Sequence, residues 1–282
     1  MQSLLFEISR LVPKNAFSRG LGRLTRSPMP HAAHQAAIRA FVKAFGVKAE
    51  EAELPLEEYE TFAAFFARRL RPGLRPIEPD PSSLVSPCDG AVGAMGRVER
   101  GTLLQAKGRP YGLASFLGDE KAASVYEGGR FLTIYLAPFD YHRVHFPADG
   151  QVVESRHIPG TLWPVTPTAV DRVEDLFAVN ERLVTHMRTA AGPLAVVMVG
   201  ATCVGRIRML YDEGVTNAGR SLGRREYEPG IEVRKGDELG VFEMGSTVVL
   251  LSAPGSWSLD LIESGARARM GEVVGRRVQE TR

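Results

Sequence analysis

The pattern of apolar residues changes near residue 82, and this change limits what the chain can fold into. Before it, apolar side chains recur at helical spacing across residues 31–46 and 56–70. After it, short apolar and β-branched runs alternate with Gly, Pro and Asp, which is typical of strands joined by turns. The runs are Ala91–Met95, Phe131–Leu136, Gln151–Glu154, Leu194–Val199, Cys203–Leu210, Glu238–Phe242 and Thr247–Ser252. The sequence therefore predicts an α+β protein, with a helical segment at residues 1–80 and a predominantly antiparallel β body at residues 81–282.

The amino-terminal end is basic and predicts an amphipathic helix over residues 3–12. Residues 1–30 carry five cations and one anion, and Phe17, Leu21 and Leu24 continue the apolar face. Such a helix can lie in an anionic membrane surface, with its apolar side chains buried and its cations against headgroups. Packing of the helix on its own domain explains the pattern equally well. No stretch approaches the roughly 18 apolar residues that a bilayer span needs.

Composition argues against several other classes of protein. The chain of 282 residues is 44% hydrophobic, which is enough for a globular core. Its formal net charge of +2 indicates neither disorder nor a nucleic-acid partner. The two cysteines, Cys88 and Cys203, belong to no CxxC motif, which argues against a disulfide framework and a structural zinc site.

Two short stretches share the pattern Pro, any residue, Asp, Gly, any residue, Val. They contain Asp89-Gly90 and Asp149-Gly150, and a predicted strand follows each. Asp can bond nearby backbone amides and Gly accepts positive φ, so the pattern predicts two tight turns. For Asp149 we expect only this structural role.

Two further segments contain candidate reactive groups. Gly245-Ser246-Thr247 separates two predicted strands, where it forms either an ordinary turn or a strained one that presents a hydroxyl. His142 and His145 lie three residues apart, as expected for an acid–base pair or for part of a metal site that lacks an evident third ligand. Between them, Arg143 suits a ligand's phosphate or carboxylate and an internal salt bridge equally.

The order and separation of these segments resemble the bacterial-type phosphatidylserine decarboxylases. The segments that carry the resemblance are Ser86-Pro87-Cys88-Asp89-Gly90, Tyr141-His142-Arg143-Val144-His145-Phe146-Pro147 and Gly245-Ser246-Thr247. Further agreement is found at Phe65-Phe66-Ala67-Arg68, Arg75-Pro76-Ile77, Asn180-Glu181-Arg182 and Lys235-Gly236. One departure is Met244, where the family commonly has the near-isosteric Leu.

The resemblance implies an enzyme that cuts its own backbone. Asp89, His145 and Ser246 would form a triad that acts once, in which the carboxylate orients the imidazole and the imidazole takes the hydroxyl proton. Ser246 would then attack the carbonyl of Gly245, and the bond between these two residues would break. Ser246 would be left as a pyruvoyl group at a new amino terminus.

The resemblance also implies what the cut protein does. A β chain, residues 1–245, and an α chain, residues 246–282, would stay together as a heterodimer because the α chain is too short for its own core. The pyruvoyl group derived from Ser246 would form a Schiff base with phosphatidylserine and accept electrons as CO2 leaves, which gives phosphatidylethanolamine. His142 is the implied acid or base of this decarboxylation.

Together with the basic start, the resemblance implies a peripheral enzyme of the cell membrane, on its cytoplasmic side, bound to an anionic lipid surface. Two other functions remain open at this point. One is a β-rich carrier module modified on an exposed hairpin, although Lys235 lacks the Met-Lys pair expected there. The other is a pyruvoyl decarboxylase that acts on a soluble amino acid.

Overall fold

A computed structural model describes residues 14–27, 30–104, 110–165, 167–202, 206–216, 221–243 and 246–279. The helices are α1 (Lys14–Arg26), α2 (His31–Phe45), α3 (Phe62–Phe66), α4 (Leu113–Leu117), α5 (Glu120–Tyr126), α6 (Pro167–Arg172) and α7 (Leu176–Val179), with 3₁₀ turns at Ala49–Glu51 and Leu56–Glu58. The strands are β1 (Ser83–Val85), β2 (Gly90–Arg97), β3 (Thr102–Leu104), β4 (Pro110–Gly112), β5 (Arg130–Leu136), β6 (Arg143–His145), β7 (Gly150–Ile158), β8 (Arg182–Thr189), β9 (Gly192–Gly200), β10 (Ile207–Met209), β11 (Arg224–Val233), β12 (Glu238–Phe242), β13 (Ser246–Ser252), β14 (Arg267–Ala268) and β15 (Val273–Arg276). The predicted α+β class is confirmed, whereas the helix predicted over residues 3–12 lies outside the described residues.

The main sheet has eight antiparallel strands in the order β11-β7-β8-β9-β13-β5-β2-β14. β13 lies inside it, and all seven of its residues pair with β9 on one side and with β5 on the other. Every residue of β13 is buried, as expected for the continuous apolar run 248–251.

Strands of the predicted α chain are distributed through the sheets. Besides β13, β14 pairs with β2 and β15 pairs with β1. All three strands of residues 246–279 therefore find their partners in residues 1–245. Separating the two predicted chains would break hydrogen-bond ladders on both sides of β13.

A smaller sheet, β10-β12-β6, brings two of the sequence motifs together. β12 pairs with β6, so that Glu238 lies opposite His145 and Val241 lies opposite Arg143. One residue further along, the backbone N–H of Phe242 donates to the carbonyl of His142 at 3.0 Å. The histidine segment is thereby fixed beside the strand that leads to Ser246.

Buried apolar side chains form two separate clusters. The larger one fills the body between Leu84 and Val274. The smaller one lies within residues 38–66, where the Phe41 ring makes edge contacts with Phe62 and Phe66 at centroid distances of 5.1 and 5.9 Å. The boundary near residue 80 stays a prediction.

The single helix predicted over residues 56–70 is wrong. The structure instead has a 3₁₀ turn at Leu56–Glu58, an extended Tyr59, and the short α3. Thr61 starts α3 as its N-cap, since its hydroxyl accepts from the Ala64 N–H at 3.1 Å, and Leu70 forms a bridge with Ala52. The aromatic side chains that suggested one long helix pack against α2 from two separate elements.

The interpretation of the two Asp-Gly pairs as locally bonded turns with positive φ is also wrong. Neither Gly90 nor Gly150 has positive φ, and a Cβ on Gly90 would lie 2.6 Å from the Tyr135 carbonyl oxygen. Glycine is needed there because the neighbouring strand approaches too closely for a side chain. The carboxylates accept from distant amides: Asp89 from Met270 N–H at 2.9 Å, and Asp149 from Lys235 N–H at 2.8 Å.

Candidate active site

Ser246 is the first residue of β13, and its side chain is completely buried. Its backbone position is fixed on both sides, opposite Leu136 of β5 and Gly200 of β9. The hydroxyl has no hydrogen-bond partner in the described part of the chain. A buried hydroxyl without a partner costs about 1–3 kcal/mol, so contacts among the described residues do not account for a hydroxyl at this position. Gly245, on the other side of the predicted scissile bond, lies outside the described residues.

His142 is completely buried, and only one of its two ring nitrogens has a hydrogen-bond partner among the described residues. Its Nδ1 lies 2.9 Å from the carbonyl oxygen of Asp140, so Nδ1 carries the hydrogen and Nε2 has the free lone pair. Nε2 has no partner among the described residues. The ring packs against Phe66 at a centroid distance of 4.2 Å, and burial lowers the pKa of His142 to about 3. The imidazole is therefore neutral at physiological pH.

Two backbone contacts join the pair of segments that contain His142 and Ser246. One end of the pair is fixed by the Phe242–His142 backbone bond at 3.0 Å, and the other end by the pairing of Ser246 with Leu136. The structure brings these two predicted site residues into one buried region, each with an unpartnered polar atom.

His145 is held from both ring nitrogens. Nδ1 lies 2.7 Å from the Gly236 carbonyl oxygen, and Nε2 lies 3.1 Å from the Tyr141 hydroxyl. Burial lowers the pKa of His145, and the bond to Gly236 opposes that shift. With its hydrogen on Nδ1, the ring presents Nε2 as an acceptor, and Tyr141 now donates to it.

Asp89 lies between β1 and β2, on a loop joined to β6 by the bond from His145 N–H to the Pro87 carbonyl at 2.8 Å. Its carboxylate is bound by Arg75, whose Nη2 and Nε approach the two oxygens at 2.6 and 2.9 Å. The same guanidinium reaches Glu51 at 2.8 Å. These carboxylates raise the pKa of Arg75 further above its usual range.

Hydrogen bonds within the described part of the chain join neither Asp89 to His145 nor His145 to Ser246. The triad stays a prediction. Arg75 and Tyr141, which take the places of the expected partners, were missed as site residues, although both lie in segments that carry the family resemblance. The signal was their place in those segments, which does not reveal which side chain binds which.

The comparison with protein families now decides the assignment. A family model described as phosphatidylserine decarboxylase matches residues 62–276, which span both histidines and Ser246. The chain belongs to the phosphatidylserine decarboxylase family. It is therefore an enzyme, a decarboxylase.

Curated relatives in this family match almost the whole chain. A phosphatidylserine decarboxylase proenzyme from Anaeromyxobacter sp. (strain K) is 51% identical over 276 residues, which cover 96% of this chain and 98% of the relative. One from Myxococcus xanthus is 48% identical over 95% of this chain and 96% of the relative. One from Brevibacillus brevis is 40% identical over 97% and 98%.

For two residues, the structure bears on the alternative roles that the sequence left open. Arg143 donates from Nη1 to Glu238 at 2.9 Å and from Nε to the Ala67 carbonyl at 3.0 Å, so the salt-bridge alternative is the one observed. The ammonium of Lys235 donates to the Asp80 carbonyl at 2.6 Å and to Ser83 Oγ at 3.0 Å. A lysine whose ammonium is held by these hydrogen bonds is not available as the modified side chain of a carrier.

A cavity of 610 Å³ opens beside the segment that leads to His142. Phe139, Asp140 and Tyr141, the three residues before His142, form part of its wall, and Asp89 forms another part. Phe45 and Phe139 line it while remaining 47% and 41% exposed, so the cavity has apolar side chains at its opening. Its charged lining consists of Lys48, Arg68, Arg75, Arg267 and Arg269 with Glu51, Asp89, Asp140 and Glu272.

The described residues contain neither a candidate metal site nor a candidate membrane-spanning helix. No three His, Cys, Asp or Glu side chains lie together as a metal ion would require. No described helix has both the length and the apolar character needed to cross a bilayer.

Proposed function

We propose that the chain decarboxylates phosphatidylserine to phosphatidylethanolamine and CO2, with a pyruvoyl group that it makes from its own Ser246. The observation that carries this proposal is the buried, unpartnered hydroxyl of Ser246 at the start of the central strand β13. Family membership supports the lipid substrate over a soluble amino acid, since the relatives are described as phosphatidylserine decarboxylase proenzymes.

In the proposed self-cleavage, the Ser246 hydroxyl attacks the Gly245 carbonyl and the amide becomes an ester. β-Elimination then releases the Gly245 carboxylate and leaves dehydroalanine, and hydrolysis of that residue releases ammonia and leaves the pyruvoyl group. A base must take the hydroxyl proton, and His145, supported by Asp89, is the proposed base. The hydrogen bond between the Tyr141 hydroxyl and His145 Nε2, at 3.1 Å, must break before Nε2 can accept the serine proton.

The surroundings of Ser246 fit a small carbonyl group. Ser246 is buried and lies between Leu136 of β5 and Gly200 of β9, which has no side chain. The pyruvoyl group, when formed, supplies an electron sink for the charge left by departing CO2.

His142 is proposed to move protons through Nε2. Burial disfavours the charged ring and lowers the pKa of His142, so the ring starts neutral and Nε2 must receive a proton before it can act as an acid. The charged ring is then unstable in its buried position, which makes it a strong acid toward the carbon that CO2 has left. The hydrogen bond from Nδ1 to the Asp140 carbonyl, at 2.9 Å, keeps the ring oriented throughout.

An intact-mass measurement of the purified enzyme tests this function. We expect two chains, residues 1–245 and 246–282, of which the smaller resists amino-terminal sequencing because a ketone replaces its amine. A preparation that releases CO2 from phosphatidylserine while containing only the uncut 30.8 kDa chain would exclude the proposal.

We also propose that α1 helps to hold the enzyme on the cytoplasmic side of the cell membrane. Polar contacts attach α1 to the β body: Asn15 donates to the Gly160 carbonyl at 2.9 Å, and Arg26 pairs with Glu243 at 2.5 Å. Its apolar side chains Phe17 and Leu24 remain 47% and 53% exposed. A docked basic helix with exposed apolar side chains suits an anionic lipid surface.

Liposome flotation tests this surface. The double substitution Phe17→Gln and Leu24→Gln should lower binding to anionic vesicles by at least about 10-fold, because each apolar side chain contributes about 1.5–3 kcal/mol when buried. The matched control is Val125→Gln with Leu261→Gln, which removes two apolar side chains of 42% and 51% exposure elsewhere. Equal binding by both double variants would contradict a role for α1.

A further inference from the structure

Arg68 is a buried guanidinium whose hydrogen-bonding capacity is largely unused. It is 3% exposed, and Nη2 donates to the Phe139 carbonyl at 3.2 Å. Nε and Nη1 have no partner among the described residues, and Arg68 forms no ion pair there. Its contact with the Phe65 ring, 5.0 Å from the centroid, satisfies no N–H group. Burying a charge in this way is costly unless a partner compensates for it.

Arg182 shows how this fold treats a buried arginine with a structural role. It is 2% exposed, and all three of its nitrogens donate to backbone carbonyls. Nε reaches Phe116 at 2.6 Å, Nη1 reaches Asn180 at 2.7 Å, and Nη2 reaches Ser115 at 2.6 Å. The fold can therefore satisfy an internal guanidinium, and it leaves Arg68 unsatisfied where Arg68 lines the 610 Å³ cavity.

The carboxylates of the cavity wall do not neutralise Arg68. Arg75 binds both Glu51 and Asp89, and Arg267 pairs with Asp140. Five cations and four anions line the cavity, so it carries a positive excess even before partners are considered. Arg68 is the buried cation without a carboxylate of its own, which prepares the cavity for an anionic group.

The cavity also lies in the correct place for the substrate. Arg68 follows α3, and the Phe66 ring at the end of α3 contacts His142. The carbonyl that Arg68 binds belongs to Phe139, three residues before His142. An anion on Arg68 would therefore be held close to the imidazole proposed to move protons in the reaction.

We propose that Arg68 binds the phosphodiester of the lipid headgroup, which seats the headgroup in this cavity; the inference rests on the proposed function. The substrate carries two anionic groups, and the phosphodiester is the one that survives the reaction. A guanidinium paired with the carboxylate would stabilise the charge before CO2 leaves and so oppose the reaction. The exposed Phe45 and Phe139 at the opening lie where acyl chains leave the cavity.

Inhibition by the product separates the two anionic groups, because phosphatidylethanolamine keeps the phosphodiester and lacks the carboxylate. In mixed micelles, Arg68→Gln should raise the KM for phosphatidylserine and the inhibition constant for phosphatidylethanolamine by the same factor, about 10- to 100-fold. Arg68→Lys should restore part of both. Arg71→Gln, which removes an exposed arginine three residues away, is the matched control and should change neither.

A rise in KM with an unchanged inhibition constant would assign Arg68 to the carboxylate and overturn the proposal. So would unchanged values of both, or a loss confined to kcat. If Arg68→Gln is not cut into two chains, the test uses the wild-type enzyme and two soluble inhibitors of phosphatidylserine decarboxylation. Glycerophosphoethanolamine, which carries the phosphodiester, must inhibit more strongly than ethanolamine, which lacks it. Equal inhibition by the two compounds rejects a phosphodiester site. Failure of the proposed function shows separately, as absence of CO2 release by the wild type.

Discussion

Replacing Ser246 by alanine is expected to leave one uncut chain of 282 residues with no decarboxylase activity. The substitution removes the hydroxyl that attacks the Gly245 carbonyl, and it also removes the only precursor of the pyruvoyl group in the proposed mechanism. The expected loss in decarboxylation rate is at least about 10⁶-fold, because enzymes accelerate their reactions by at least about that factor over the uncatalysed reaction. Mass spectrometry reports the cut, and CO2 release from carboxyl-labelled phosphatidylserine reports the activity.

Ser252→Ala is the control for this experiment. Ser252 ends the same strand, is equally buried, and donates to the Trp257 carbonyl at 2.9 Å. Its loss therefore weakens β13 without touching the proposed cleavage site. Two chains and measurable activity are expected from Ser252→Ala. A cut Ser246→Ala chain would place the scissile bond elsewhere, whatever its activity.

Replacing His142 by alanine should separate cutting from decarboxylation. We expect the two chains to form normally, because His145 is the proposed base for self-cleavage, while kcat falls by about 10²- to 10⁴-fold with the loss of an acid–base group. The measurements are the mass of both chains and the initial rate of CO2 release at saturating lipid.

The control for His142→Ala is His186→Ala. His186 is 8% exposed, and like His142 it has an Nε2 without a described partner, but it lies on β8 and bonds the Tyr126 hydroxyl. Both substitutions remove a buried imidazole, so a general packing defect would appear in both. If His142→Ala remains uncut like Ser246→Ala, the division of roles between His142 and His145 is wrong.

The sequence predicted the strands in which apolar residues either alternate with polar ones or follow one another without interruption. β12 has the predicted bounds, and β13 and β5 differ by one residue at one end. β8 was missed because Arg182 and His186 interrupt its apolar pattern, and the sequence does not show that backbone carbonyls satisfy the arginine. β11 was missed because it is an edge strand with mostly exposed or half-exposed residues and a Pro-Gly pair.

The structure shows contacts of the predicted site residues that the sequence could not give, while their roles stay predictions. The family resemblance grouped Asp89 with His145, and the structure joins their segments through the Pro87 carbonyl. That Arg75 takes the Asp89 carboxylate depends on residues 14 positions apart meeting across a fold, which no local pattern encodes. The unused nitrogens of Arg68 are likewise visible only once every neighbour has a position.

The place of β13 between β9 and β5 has a consequence for the life of the molecule after the cut. Before the cut, the strand is inserted by closing a loop of covalent chain, which is a unimolecular event. Afterwards the same insertion would require two separate polymers to meet and would cost translational and rotational freedom as well. If the chain is cut as proposed, the mature enzyme would keep a fold that formed while the two segments were still covalently joined, and once denatured it would have no first-order route back to that fold.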